Sequence, residues 1–156
     1  MNIYSLLSEN TIIPDLTVQD KDDLLNRLVD LLENQISEEQ LESVRKAVFE
    51  REAIMSTGVG KGLAIPHGKA AGIDSSHASF AILSEPVDYE SIDGKPVRIV
   101  FLLVGPESKN SIHIKLLSRI SRLMNSSAFR KRLFDCRKPD EVLDQFRREE
   151  QRSFNT

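Results

Sequence analysis

Apolar positions recur at two different periods along the chain, and turn residues mark where one period gives way to the other. Behind Asp20, the residues Leu24, Leu25, Leu28, Val29, Leu31, Leu32 and Ile36 follow helical spacing. This pattern predicts an amphipathic helix over about 21–35, with Asp20 as its N-cap. Ser37-Glu38-Glu39-Gln40 is a capping-box sequence that opens a second helix carrying Leu41, Val44, Ala47 and Val48 on one face. That helix is expected to end near Ala53, because Gly58, Gly60 and Gly62 disfavour its continuation, and Arg51 then falls in its last turn. A third helix is read from Ser111 to Met124, with Ile112, Leu116, Ile120 and Leu123 as its stripe and His113 on its first turn. Ala128 to Phe134 and Glu141 to Phe146 are two further helical pieces, and Pro139 suits the start of the second.

The strand signals differ in kind. Val97 to Val104 is a nearly continuous β-branched and aromatic run, which predicts a central strand buried on both faces and ended by Gly105-Pro106. Ala78 to Leu83 is a second strand, Leu63-Ala64-Ile65 a short one stopped by Pro66, and Ile12-Ile13-Pro14 a short edge strand. Residues 87–95 read as a connection with Asp93-Gly94 as a turn. Helices and strands interleave with some short links, so the fold class is α/β: a single domain with a mixed sheet and helices packed on both faces. The domain is expected to span 1–150, with the charged tail, 151–156 in particular, frayed.

Composition narrows the function without choosing it. A chain of 156 residues, 40% hydrophobic and 29% charged, builds one core and is not disordered. A net charge of −3 with both signs spread along the chain offers no basic face for nucleic acid. The single cysteine, Cys136, excludes a disulfide framework and argues against a cysteine-based zinc site. The N-terminus lacks the pattern of a signal peptide, and the run from Ile99 to Val104 is too short to cross a bilayer. The expected location is therefore the reducing cytoplasm, with no membrane insertion.

Arg51 to Lys69 is the stretch with chemical content. It holds Gly58, Gly60, Gly62 and Gly68, and the step Pro66-His67-Gly68. Pro66 should end a strand and leave His67 emerging at its tip beside a residue with no side chain. A histidine with a pKa of about 6.5 is mostly neutral near pH 7, and its free lone pair is a competent nucleophile. Phosphoryl transfer needs alignment and charge stabilisation more than covalent chemistry. Ser56, Thr57 and Gly58 can form a phosphate cradle, Arg51 offers a planar fork for phosphate oxygens, and Lys61 and Lys69 add positive potential.

Plainer explanations exist for each residue alone. A lone histidine is most often structural, a glycine cluster is most often a turn, and an arginine at a helix C-terminus is favoured by the macrodipole. For His113, a surface position and a functional one stay open, and His77 in a polar loop is expected to face solvent. Gly62 to Lys69 is not a P-loop, because five residues separate its glycines and Ala70 stands where the Ser/Thr should be. A zinc site from His67, His77 and His113 lacks the spacing that would support it. No cofactor and no metal is expected.

Taken together, Arg51, Ser56-Thr57-Gly58 and Ala64-Ile65-Pro66-His67-Gly68 closely resemble the signature of enzyme IIA domains of the bacterial phosphoenolpyruvate-dependent phosphotransferase system, fructose/mannitol type. The resemblance continues through Ile92-Asp93-Gly94-Lys95-Pro96-Val97, Gly105-Pro106 and His113-Ile114-Lys115-Leu116-Leu117, and so covers nearly the whole chain. It implies that His67 is phosphorylated on Nε2, that Arg51 and His113 assist, and that the fold is one α/β domain. It implies the histidine-containing phosphocarrier protein as donor. The implied acceptor is a IIB component or, in the stand-alone nitrogen-regulatory branch that the chain most resembles, the output is binding to regulated proteins. A stand-alone fructose- or mannitol-type IIA subunit is the alternative. The oligomeric state is left open.

Overall fold

The apolar run that begins at Val97 becomes the middle of a sheet, and every other element is placed by reference to it. The computed structural model describes residues 2–154. In chain order the elements are β1 (Ile12–Leu16), α1 (Lys21–Asp30), α2 (Glu38–Ile54), β2 (Gly58–Gly60), β3 (Leu63–Ala64), β4 (His67–Ala70), β5 (His77–Val87), β6 (Val97–Pro106), α3 (Asn110–Met124), α4 (Ser127–Phe134) and α5 (Pro139–Phe154). The six strands form one mixed sheet in the order β1-β5-β6-β3-β2, with β4 also on β6. β5 runs antiparallel to β6, while β1 is parallel to β5, and β3 and β4 are parallel to β6.

The alternation of side chains along β6 divides the core in two. Ile99, Phe101 and Leu103 point to one face, where α3, α4 and α5 cover them with Leu116, Ile120, Phe129 and Phe146. Val100, Leu102 and Val104 point to the other, under Leu24, Leu28, Val44 and Val48 of α1 and α2. A strand covered on both sides has no reason to alternate in polarity, so β6 reads as a continuous apolar run.

The helix starts follow their caps. Asp20 accepts from the Asp23 N–H at 2.8 Å, and Ser37 and Gln40 exchange the reciprocal bonds of a capping box at 3.1 and 2.8 Å. α1 stops at Asp30 instead of running to 35. Beyond Leu31 the bonds tighten to the third residue back, Leu32 to Val29 and Glu33 to Asp30, which unwinds the helix into turns while keeping Leu32 buried.

The C-terminal segment also differs from the expectation of a frayed tail. α5 continues to Phe154, because its last turns are anchored from both sides. Glu150 is wholly buried and accepts from the Ile3 and Tyr4 amides and from Arg119 Nε, all within 2.8 Å. Phe154 lies under the Arg119 guanidinium at 3.8 Å. Of the expected tail, residues 155–156 lie outside the described part. Among the described residues no helix is long and apolar enough to cross a membrane.

Candidate functional site

β3 and β4 are two pieces of one run along the same edge of β6, interrupted at Ile65-Pro66. Leu63 and Ala64 pair with Ile99 and Val100, and His67 resumes the pairing at Leu103. His67 is thus the first residue of a second short strand and not the free tip of the first. Proline does not end the pairing, because its carbonyl still accepts from the Leu103 amide at 3.1 Å. What Pro66 does is break the regular course of the strand between the Ile65 carbonyl and the ring two residues on. His67 Nδ1 lies 2.9 Å from that carbonyl. A carbonyl only accepts, so Nδ1 carries the proton and Nε2 keeps its lone pair. Burial pushes the His67 pKa below its ordinary value, and the nearby Arg51 charge adds to this; the Ile65 hydrogen bond and Glu52 oppose it. The ring is therefore held neutral in one tautomer.

Two glycines allow the partners of His67 to come close. A Cβ on Gly68 would lie 3.0 Å from Val48 N and 3.1 Å from Ala47 C, so only a bare backbone lets α2 pack on β4 at this distance. That contact brings the last turn of α2 to the cleft, where Arg51 is steadied by a 2.9 Å bond from Nη1 to the Met55 carbonyl. Gly105, at the end of β6, does the same for α3: a Cβ there would lie 3.1 Å from His113 Nδ1.

His113 is 3% exposed, whereas Ile112 beside it is 41% exposed. The apolar stripe of α3 thus runs through His113, Leu116, Ile120 and Leu123, with the histidine in the place expected for Ile112. Its ring centroid is 5.9 Å from that of His67, the planes tilted by 50°. Burial, with the neighbouring His67 and Lys69 adding to it, lowers its pKa to about 4, so it too is neutral at pH 7. Both its ring nitrogens are buried and have no hydrogen-bond partner among the described residues.

These side chains share a cleft of about 700 Å³ between α2, β4 and α3, whose walls include Arg51, Ile54, His67, Lys69, His113 and Ile114. Ile54 and Ile114 are exposed at its edge, and Lys69 Nζ donates to Asn110 Oδ1 at 2.6 Å. A neutral nucleophilic nitrogen, a guanidinium and a second imidazole with an N–H to offer can together align a phosphoryl group and stabilise its charge.

Ser56, Thr57 and Gly58 are elsewhere. None lines this cleft. Ser56 Oγ donates to the Tyr89 carbonyl and accepts from the Gly58 amide, while the Thr57 amide and hydroxyl both donate to Glu52. The donors expected to cradle a phosphate are committed to holding the chain, and the glycines around Val59 form β2 against β3 instead of an open loop. Lys61 reaches Asn125 and lines a different groove. His77 is half-buried and bonded to Gln35, apart from the other two histidines. No group of three or more His, Cys, Asp or Glu that could hold a metal occurs among the described residues. Sequence reasoning missed Asn110, Ile54, Ile114 and Glu52. None carries a local pattern that separates it from other helix residues.

The family model described as "Phosphoenolpyruvate-dependent sugar phosphotransferase system, EIIA 2" matches residues 5–149. The chain belongs to this family. As an EIIA 2 chain it is a phosphotransferase component. It is similar to the "PTS system fructose-specific EIIABC component" of Bacillus subtilis, 33% identical over 92% of this chain, though it spans only 23% of that protein's length. It is also similar to the "Nitrogen regulatory protein" of Bradyrhizobium diazoefficiens, 37% identical over 85% of this chain and 86% of the other. Among solved structures, the nitrogen regulatory protein IIA-Ntr from Neisseria meningitidis superposes with a TM-score of 0.84 at 32% identity, covering 92% of this chain and 98% of that one.

Proposed function

We propose that this EIIA 2 chain accepts a phosphoryl group on His67 Nε2 from the histidine-containing phosphocarrier protein, with Arg51 and His113 assisting, and that its output is nitrogen or metabolic regulation through protein binding that depends on the state of His67. The observation that carries the reading is the 2.9 Å bond from His67 Nδ1–H to the Ile65 carbonyl, which leaves Nε2 as the nucleophile in a cleft shared with Arg51 and His113. In the transfer, the Nε2 lone pair forms the new P–N bond while the P–N bond to the donor's histidine breaks, its electron pair returning to that ring. His67 keeps its Nδ1 proton throughout, so no base is needed. Arg51 balances charge on the phosphoryl oxygens, and the N–H of neutral His113 donates to one of them. The exposed Ile54 and Ile114 give a docking protein apolar area around the reacting atom. On this reading the partners are cytoplasmic.

The regulatory output rests on the near-equal length and 37% identity shared with the Bradyrhizobium protein. A second reading, a fructose- or mannitol-type IIA subunit that passes phosphate to a IIB cysteine, is favoured by the 33% identity over 92% of the chain to the fructose-specific Bacillus protein.

Incubation with phosphoenolpyruvate, enzyme I and the phosphocarrier protein is expected to give an acid-labile adduct that His67→Ala abolishes. Labelling of His67→Ala at the wild-type level would remove His67 as acceptor. Transfer onward to a purified fructose-type IIB domain would favour the second reading; a partner bound differently by wild type, His67→Ala and His67→Asp would favour the first.

A further inference from the structure

Behind the His67 cleft, on the other side of the Ser56–Gly58 segment, lies a buried carboxylate that the transfer chemistry does not use. Glu52 is 8% exposed and receives four donors: the Thr57 amide at 2.7 Å, the Thr57 hydroxyl at 2.5 Å, the Tyr89 hydroxyl at 3.1 Å and Lys21 Nζ at 3.0 Å. Tyr89 is fully buried and Thr57 is 4% exposed, so the cluster is closed to solvent on most sides. A carboxylate held by this many donors is a rigid anchor, because losing any one leaves a buried group unpaired.

What it anchors leads back to the acceptor. Thr57, pinned to Glu52 by its amide and hydroxyl, presents its own carbonyl to the Ile65 amide at 3.0 Å. Ile65, fixed at that end, presents its carbonyl to His67 Nδ1 at 2.9 Å. Glu52 also neighbours Arg51 at the end of α2, so the same anchor ties that turn to the segment that follows it. Lys21 brings the start of α1 into the cluster and balances the carboxylate charge.

We infer that Glu52, acting through Thr57 and with Tyr89, is a positioning residue that sets the tautomer and orientation of the His67 ring. The inference rests on the proposed acceptor role for its functional meaning, but the ring orientation can be measured without any transfer. Glu52→Gln places an amide N–H₂ among four donors, so at least one contact of the anchor is lost while volume is kept. With the Ile65 carbonyl loosened, Nδ1–H is no longer the enforced tautomer.

The test is a long-range ¹⁵N–¹H spectrum of the histidine rings, together with the rate of phosphoryl acceptance. Wild type is expected to show His67 as the Nδ1–H tautomer. Glu52→Gln is expected to raise the Nε2–H population and slow acceptance about tenfold, with the KM for the donor changed by less than about twofold. Glu150→Gln, at the buried carboxylate of α5, is the control: it should lose stability without altering tautomer or rate. Thr57→Val should reproduce a smaller loss, about threefold, and Thr57→Ser should restore the wild-type behaviour. A folded Glu52→Gln with wild-type tautomer and rate would overturn the inference, as would an equal tautomer shift in Glu150→Gln. If Glu52→Gln does not fold, identical wild-type spectra for Thr57→Val and Thr57→Ser would overturn it. A wild-type protein that takes no phosphate, with the tautomer shifts still seen in Glu52→Gln and Thr57→Val, would sink the proposed function and leave the anchor standing.

Discussion

The His67 and His113 rings face one another across the cleft with centroids 5.9 Å apart and planes tilted by 50°. One ring is held by a backbone carbonyl and the other has no partner among the described residues, an asymmetry that separates their chemistry. On the proposed reading His67 is the nucleophile in its set tautomer, and the N–H of His113, which has no partner among the described residues, is the donor to a phosphoryl oxygen.

The pH dependence of acceptance follows from the first ring. On the proposed reading its neutral form is the nucleophile, and burial lowers its pKa below 6.5. The rate should therefore be flat through neutral pH and fall only on the acid side, with a midpoint below 6.5, in step with the His67 resonances in an NMR titration.

The second ring affects stability. His113 has a pKa of about 4 in the fold against 6.5 when unfolded, so the unfolded chain binds more protons between those values. Stability is fully present above about 6.5 and is lost as pH falls from there toward 4. Urea midpoints measured across this range should decline toward acid, and His113→Leu should flatten that decline while impairing transfer.

Arg51→Ala should leave the fold intact, since among the described residues Arg51 makes a single hydrogen bond, to the Met55 carbonyl at the end of α2. Acceptance should slow by about 10- to 100-fold, the loss expected for a charge-assisted contact to phosphate. Initial rates at several donor concentrations check this, and an unchanged rate would take Arg51 out of the mechanism.

Gly68→Ala and Gly105→Ala should separate fold from site. The first drives a methyl into the backbone of α2 at Ala47 and Val48 and should cost about 1–3 kcal/mol, read as a lowered Tm. The second meets the His113 ring, which can turn aside, so its main effect should be on transfer rate, with a smaller change in Tm.

Glu150→Ala should cost about 3–5 kcal/mol in urea denaturation, because it leaves Arg119 unpaired and frees the Ile3 and Tyr4 amides inside the protein. Acceptance by the remaining folded protein should be unchanged.

Local rules made part of this architecture legible. The caps at Asp20 and Ser37 depend on side chains reaching amides three residues away, and β6 announces itself because both its faces are covered. Long-range contacts were harder to read. Nothing near Phe154 says that α5 continues, since its anchor is the amino-terminal backbone and Arg119. His113 takes the inward place expected for Ile112 because helical period alone cannot tell which of two adjacent residues faces a sheet that ends in glycine. Ser56-Thr57-Gly58 looked like a phosphate cradle because hydroxyls and glycines are what a cradle needs, yet their partners are Glu52 and Tyr89.

By itself, the order of residues determined the α/β class, the central strand and the starts of α1 and α2, because these follow from periodicity and capping. Tertiary structure alone decided that β4 rejoins β6, that His113 turns inward past Gly105, and that a buried glutamate stands behind the His67 ring. The physical reason is packing: β4 meets β6 from a distant part of the chain, and even the contacts of Gly105 with His113 and of Glu52 with Thr57, whose partners lie near one another in sequence, depend on how α3 and α2 settle against the sheet, which no periodicity specifies.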